Sequence, residues 1–453
     1  MDTPICDFVQ KYVDRGAVRM HMPGHKGKAS VQNAYDITEI ADAGFLYDSK
    51  NEADHCIARS ESNATELFGC KTYYSTEGSS LCIRAMLYLC AMRGEGRVVL
   101  AARNAHQSFL SAAALLDLDV RWMWPSDEHL LSMDLTAEQV ERALLELDTK
   151  PCCVYITSPD YLGHILPVKE IAEVCHARGI PLVVDNAHGA YLRFLDPSLH
   201  PCDLGADLCC DSAHKTLPVL TGGAYLHVSA FAGENSSAMN FTPEEVKNAM
   251  LLFASTSPSW LILQSLDRAN TILADDAWKT RLAETLRQTK VTKALLLKKG
   301  YEVFGEEPCK ITILTCVGSA EVAGIGDVFR KEPDPIEVEY EGPDAVVLMP
   351  STETTDKEWE ILRKKISALP EGMPGDGQQK WHLRPERVMS IREACMRPFE
   401  IVPLEKAEGR TAHMMPCSCP PGVQIVVCGE KIEAEVISCL DAFGFSHCHV
   451  VKN

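Results

Sequence analysis

The chain has 453 residues, of which 46% are hydrophobic and 24% charged, and its 63 acidic against 44 basic residues give a formal net charge of −19. That length has room for two or three domains, and the composition is that of an ordinary globular protein. The acidic balance argues against nonspecific nucleic-acid binding, which needs a basic surface, and electrostatically favours a cationic substrate.

The N-terminus, Met1-Asp2-Thr3-Pro4-Ile5-Cys6-Asp7, lacks a basic stretch followed by an apolar core, so no signal peptide is expected, and no apolar run reaches the length of a membrane span. An irregular arm with short helices is expected over 1–45, and it contains His21-Met22-Pro23-Gly24-His25-Lys26-Gly27. A helix follows over 53–68 and stops at Gly69. Helical and strand periodicities then alternate. Strands are predicted over 97–101, 152–156, 181–184, 207–210 and 223–227. Helices are predicted over 80–92, 105–116, 136–147 and 168–178, the last stopping at Gly179. Such alternation implies a mostly parallel sheet with helices on both faces and ligands beyond the carboxyl ends of its strands. Long helices from 258 into the 270s and over 278–299 lead to a smaller unit. Its strands are expected over 311–315, 336–340, 345–348 and 423–427, and its helices over 355–368 and 431–442. A turn-rich stretch over 370–377 divides it. The expected division is an arm over 1–45, a large domain with its connecting helices over 46–299, and a small C-terminal domain over 300–453.

Nineteen cysteines are many, but runs such as Pro151-Cys152-Cys153-Val154-Tyr155-Ile156 read as small buried hydrophobes. There is no Cys-x-x-Cys pair, and Cys417-Ser418-Cys419 lacks a second pair at zinc spacing. A reducing, cytoplasmic setting without structural metal is expected.

The chemistry concentrates at two strand ends. The run 180–184 ends in Asp185-Asn186-Ala187-His188-Gly189, and the run 206–210 ends in Asp211-Ser212-Ala213-His214-Lys215-Thr216. One end delivers a carboxylate and the other a serine, a histidine and a lysine. Pyridoxal phosphate chemistry needs this set: a lysine to form the imine, a carboxylate to keep the pyridine nitrogen protonated, and hydroxyls and amides to hold the phosphate. Taken singly, a Ser-x-His-Lys string is more often a solvated loop and Asp185 a cap or turn residue. Their order and spacing favour the cofactor.

These residues, with others in sequence order, resemble the bacterial-type ornithine/lysine/arginine decarboxylases. The further landmarks are Asp36-Ile37-Thr38-Glu39, Gly78-Ser79-Ser80, Arg103-Asn104-Ala105-His106-Gln107-Ser108, Ser158-Pro159-Asp160-Tyr161, Ser255-Thr256-Ser257-Pro258-Ser259, Arg392-Glu393-Ala394, Gly409-Arg410 and Pro420-Pro421-Gly422. The resemblance implies an α/β fold, the PLP-dependent transferase fold type I, with a mostly parallel large-domain sheet and a smaller α+β C-terminal domain. It implies that Lys215 carries the cofactor as an imine and handles protons, that Asp185 pairs with the pyridine nitrogen, and that His106 stacks on the ring. Ser79 and Ser80, at a helix N-terminus suited to a phosphate dianion, and Ser212 and His214 would complete the cofactor contacts. Thr256 would reach the phosphate site of a neighbouring subunit. His188 lies near the ring in the motif, as a contact or as a satisfied buried histidine. The chain begins close to the arm and so resembles the short members.

Four positions depart from the family pattern. Asn186 stands where glutamate is usual, and Glu77 precedes Gly78 where asparagine is usual. Met414 replaces a glutamate and Cys419 a tyrosine. The implied activity is decarboxylation of a basic amino acid by a homodimer or homotetramer that binds neither nucleic acid nor membrane. Another activity on the same fold (an aminotransferase or a lyase), or a non-catalytic partner subunit or regulator, is the competing expectation.

Overall fold

The computed structural model describes residues 16–20, 24, 26, 44–50, 55–94, 96–124, 130–229, 241–315, 324–371, 381, 383–415 and 422–452. Most of the expected arm, the Asp36-Ile37-Thr38-Glu39 landmark, most of the turn-rich stretch and Cys417 to Pro421 lie outside these residues.

In chain order the first strands are β1 (Val18–Met20), β2 (Lys71–Ser75), β3 (Val98–Ala102), β4 (Asp119–Met123), β5 (Cys153–Thr157), β6 (Leu182–Asp185), β7 (Leu208–Asp211) and β8 (Ala224–Val228). Helices α1 (Cys56–Phe68), α2 (Gly78–Arg93), α3 (Gln107–Leu116), α4 (Ala137–Leu145), α5 (Val168–His176) and the single turn α6 (Ala213–Thr216) alternate with them. β2 to β8 form one seven-stranded sheet in the order β2-β8-β7-β6-β5-β3-β4. Pairing is parallel from β4 through β7, and β8 runs antiparallel to both its neighbours. The central strands are continuous apolar runs because helices cover both faces. β6 and β7 are buried at every position, and each ends in an aspartate.

The sequence pattern does not predict two of these strands. β2, Lys-Thr-Tyr-Tyr-Ser, carries too few aliphatic residues to read as an apolar run, although four of its five residues are buried. β4 is an edge strand whose exposed Arg121 breaks the run. Helix starts are better encoded. Thr136 with Gln139 and Thr242 with Glu245 form reciprocal capping boxes that satisfy otherwise orphaned N–H groups, each worth about 1 kcal/mol.

A second core forms around an antiparallel sheet of β9 (Val303–Phe304), β10 (Ile311–Leu314), β12 (Tyr340–Glu341) and β13 (Ala345–Leu348), with Trp359, Leu362 and Ile366 from the helix Asp356–Ala368. β1, inside the expected irregular arm, pairs in parallel with β11 (Ile336–Val338) and buries Val18 and Met20 in this core. A third core gathers Trp381, Leu404, Val426, Val436 and Leu440 beneath the antiparallel pair β14 (Phe399–Pro403) and β15 (His447–Val451). That pair is not predicted from sequence either.

The expected strand over 423–427 does not form. Val423 makes one bridge to His106, while the carbonyls of Gln424 and Ile425 accept from the Arg103 guanidinium at 3.0 and 3.3 Å. A side chain thus takes the acceptors that a strand ladder would have used. The helix expected from 431 starts only at Ala434, because Lys431 and Ile432 donate their N–H groups to the carbonyls of Glu386 and Arg410.

Candidate active site

The carboxyl ends of β6 and β7 bring the sequence candidates together. Asp185, the last residue of β6, is 2% exposed. Its carboxylate accepts from the Tyr155 hydroxyl at 3.2 Å and from the Ala187 N–H at 3.1 Å. Burial raises its pKa, and the Lys215 charge opposes that rise. A buried carboxylate in this state gains from a cationic N–H partner.

Lys215 lies on α6, the turn that follows β7. Its Nζ is 3.0 Å from His188 Nε2, so the structure puts His188 against the lysine. His188 stands edge-on to Tyr161, with ring centroids 5.4 Å apart. Burial holds its pKa well below the ordinary value, and the charge of Lys215 adds to the effect. His214 donates its Nδ1 N–H to the Gly223 carbonyl at 3.0 Å. The backbone of His214 ties the arm to the site, because its carbonyl accepts from the Gly24 N–H at 2.6 Å. A Cβ at Gly24 would lie 2.3 Å from the Leu217 carbonyl oxygen, so only glycine lets the arm come this close.

A set of hydroxyls gathers where α2 begins. Ser212 donates to Ser79 at 2.8 Å, and Ser108 donates to Ser80 at 2.6 Å. Ser108 also donates its backbone N–H to His106 Nδ1 at 3.1 Å, which makes His106 the N-cap of α3. The hydroxyls therefore join the His106 ring to the N-terminus of α2, whose free N–H groups favour an anion. Burial lowers the His106 pKa to about 3, helped by the Lys215 and Arg84 charges, so the ring is neutral at ordinary pH and suited to stacking. The C-terminal segment closes on this ring. The Gly422 carbonyl accepts from the Gln107 N–H at 2.7 Å, and a Cβ on Gly422 would lie 2.3 Å from His106 Nε2.

Thr256 is not part of the hydroxyl set; it is exposed on the loop before the helix Trp260–Ala274. Glu77 anchors that loop, accepting from the Ser255 N–H at 2.6 Å. Its carboxylate is thereby directed to the loop backbone, where a backbone N–H engages its charge. Asn186 is explained by its neighbour: it donates to the Asp211 carboxylate at 2.6 Å, where a glutamate would set two carboxylates against each other. Met414 is half-buried against the main core, and Cys419 lies outside the described residues.

Sequence reasoning missed Ser108, Tyr155 and Lys310. Ser108 sits two residues after His106 in a quoted landmark, and its place beside an N-cap could have marked it. Lys310 precedes β10 and carries no local signal. It is 2% exposed and lies 3.3 Å from His188 Nδ1.

Among the described residues, two donor groups of metal-ligand type lie in the core. The ligand atoms of His200, Cys209, Asp211 and His227 lie within 4.8 Å of one another, as do those of Cys70, Cys202 and His227. In the first group Asp211 is already engaged by His200 at 3.1 Å, His227 at 3.0 Å and Asn186. Burial would raise the Asp211 pKa, but the two histidines outweigh it and hold the carboxyl below its usual range. Fifteen cysteines among the described residues are free thiols, and all but Cys56 and Cys395 are buried. Among the described residues no helix is long and apolar enough to cross a membrane.

The family profile of the Orn/Lys/Arg decarboxylase major domain matches residues 3–322, and that of the C-terminal domain matches residues 378–447. An arginine decarboxylase of Halalkalibacterium halodurans is 28% identical over 95% of this chain and 91% of its own length. One from Bacillus subtilis is 27% identical over 96% and 92%. Among solved structures, lysine decarboxylase A from Pseudomonas aeruginosa superposes with a TM-score of 0.72 at 18% identity, covering 93% of this chain and 74% of that one. A serine palmitoyltransferase from Sphingomonas wittichii shares the fold at a TM-score of 0.57 and 12% identity.

Proposed function

Because the chain belongs to the Orn/Lys/Arg decarboxylase family, we propose that it removes the α-carboxylate of arginine, lysine or ornithine with pyridoxal phosphate as its cofactor. The observation that carries this reading is the meeting of Lys215, His188 and Asp185 at adjacent strand ends, beside the hydroxyls of Ser79, Ser80, Ser108 and Ser212. The donor set fits the cofactor. Asp185 is a buried carboxylate whose raised pKa is relieved by a cationic pyridine N–H. The serine hydroxyls and the N-terminus of α2 suit a phosphate dianion. His106, neutral and pressed by Gly422, offers a flat face for a ring. When bound, the cofactor supplies an electron sink for the charge left by departing carbon dioxide.

The chain's own residues do the rest. Lys215 would hold the cofactor covalently, and its amino group would deliver a proton to the substrate carbon. Asp185 keeps its charge toward the ring nitrogen and so favours the electron-poor ring. His106 would stack on the ring, and by fixing how cofactor and substrate sit these residues would select the bond that breaks. His188 holds Lys215 in position through its Nε2, 3.0 Å from Nζ.

The active unit is a homodimer or homotetramer in which Thr256 completes the phosphate site of a neighbouring subunit. Its exposure on a loop anchored by Glu77 beside α2 supports this arrangement. The decisive experiment is a product screen of the purified, cofactor-loaded protein with arginine, lysine and ornithine, arginine first. Release of agmatine, cadaverine or putrescine with carbon dioxide is expected. Failure with all three, in protein that carries the cofactor, would overturn the decarboxylase reading. Light scattering should give a mass of at least two chains, and a monomer with full cofactor affinity would refute the shared site.

A further inference from the structure

His188 sits between two lysines. Its Nε2 is 3.0 Å from Lys215 Nζ, and its Nδ1 is 3.3 Å from Lys310 Nζ. Lys310 also donates to the carbonyls of Asp160 at 3.2 Å and Tyr161 at 3.1 Å, and its Nζ lies 5.7 Å from the centre of the Tyr161 ring. These contacts restrict the protons. A neutral imidazole has one N–H and one lone pair, so two ammonium groups cannot both donate to it. Either Lys310 is charged and donates to Nδ1, so that Nε2–H donates to an uncharged Lys215, or Lys215 is charged and Lys310 is the amine. Both arrangements satisfy every contact of Lys310: an ammonium donates three times, and an amine donates twice to the carbonyls and accepts once from Nδ1–H.

We propose that Lys310, His188 and Lys215 form a chain holding a single excess proton, in which Lys310 is the positioning residue that sets whether Lys215 is charged. The proposal rests on the cofactor role given to Lys215 above. Switching between the two arrangements is balanced. As an N–H bond of Lys310 breaks, Nδ1–H forms on His188; as Nε2–H breaks, N–H forms on Lys215. The net charge is unchanged and no solvent proton is needed. Lys215 can therefore be an uncharged nucleophile when it attaches to the cofactor and can be recharged from within the protein when displaced.

The surroundings suit this exchange. Besides the two lysines, His188 faces His106 and His214; Lys310 faces Glu307, Asp160 and Glu339; Lys215 faces Asp185 and His106. Carboxylates thus stand near both ends of the chain, so neither end is prohibitive for the charge. Burial lowers the Lys310 pKa, which an arginine in its place could not reproduce.

The test is the pH dependence of cofactor attachment. The full-length protein is stripped of cofactor, mixed with pyridoxal phosphate over a range of pH, quenched with borohydride, and the fraction modified at Lys215 is read by peptide mass. In Lys310→Met the competing charge is gone, so Lys215 keeps its proton to higher pH. The midpoint of the attachment rate should rise by about one pH unit, a roughly tenfold slower reaction at a fixed pH below it. In Lys310→Arg the permanent charge keeps Lys215 uncharged, and the midpoint should not rise. Lys293→Met is the control: Lys293 donates to the carbonyls of Gly305 and Glu307, and its loss should leave the midpoint unmoved. If Lys310→Met does not fold, Lys310→Gln removes the charge while keeping a donor for the carbonyls, and the same rise is expected. An unmoved midpoint in the uncharged variants, or an equal rise in Lys310→Arg, overturns the chain. A wild-type protein that forms no borohydride-fixed bond at Lys215 would instead sink the proposed function itself.

Discussion

The surroundings of His106 come from two parts of the chain made of different material. From the sheet and its helices, the ends of β6 and β7, the first turns of α2 and α3 and the residue before β10 supply Asp185, Lys215, four serine hydroxyls, His188 and Lys310. From the C-terminal segment come the backbone of Gly422 and the bridge at Val423. The polar part is held by hydrogen bonds of 2.6–3.3 Å between buried and half-buried groups. The C-terminal side is held at a distance from the ring, by Arg103 gripping the Gln424 and Ile425 carbonyls and Glu430, and by Arg392 donating to the Ala114 and Leu115 carbonyls at the end of α3. The contrast teaches that charge is concentrated on one side, while the other side sets shape.

If that contrast is right, substitutions on the polar side remove chemistry without unfolding the protein, and those on the C-terminal side change geometry and stability first. The largest effect should come from Lys215→Ala. Turnover should fall by ~10³-fold or more while circular dichroism and melting stay close to wild type. Retained decarboxylation would detach the chemistry from this lysine. Asp185→Asn keeps the shape and loses the charge. It should bind cofactor and lower kcat by ~10²-fold or more, the scale of losing one preorganised charge in a site. Full turnover with bound cofactor would place the ring nitrogen elsewhere.

Gly422→Ala probes the opposite side. Its added Cβ would meet His106 Nε2 at 2.3 Å, on a residue whose φ is +71°. About 1–3 kcal/mol of destabilisation should appear as a lower Tm, and turnover should fall by roughly tenfold as the ring shifts. An unchanged Tm would show that the C-terminal segment does not press on the ring.

The effect that is smallest at neutral pH is a pH dependence of stability. The folded pKa of His106 is depressed to about 3, against an unfolded value of about 6.5. The unfolded chain therefore binds the extra proton first as pH falls. The contribution of His106 is complete above about 6.5 and is lost progressively down to about 3, at most a few kcal/mol in all. His106→Phe should lose less stability than wild type between pH 6.5 and 4 in chemical denaturation. Parallel losses in the two proteins would mean that the ring is protonated in the folded state.

Much of this site was legible in the sequence because its parts are local. A strand that ends in Asp185, a strand that leads through Ser212 to Lys215, and a helix that opens at Gly78-Ser79-Ser80 are each contained in a few consecutive residues. Parallel pairing then brings β6 and β7 side by side, with Asp185 opposite Cys210. The failures have local causes too. β2 and the β14–β15 pair carry weak alternation, and the run over 423–427 has strand-like residues whose carbonyls are claimed by Arg103.

What the sequence determined by itself was the order of elements, the strand ends that bear the reactive groups, and the kind of cofactor those groups fit, because periodicity and turn chemistry act between near neighbours. Only the tertiary structure decided that Lys310 stands 122 positions from its partner His188, that Gly422 closes on His106, that Glu77 turns to the Ser255 backbone, and that Asn186 faces Asp211. Those contacts join elements that no local pattern relates. They follow from how the sheet, the arm and the C-terminal segment pack, and the proposed sharing of a proton between Lys215 and the buried Lys310 needs that packing to be complete.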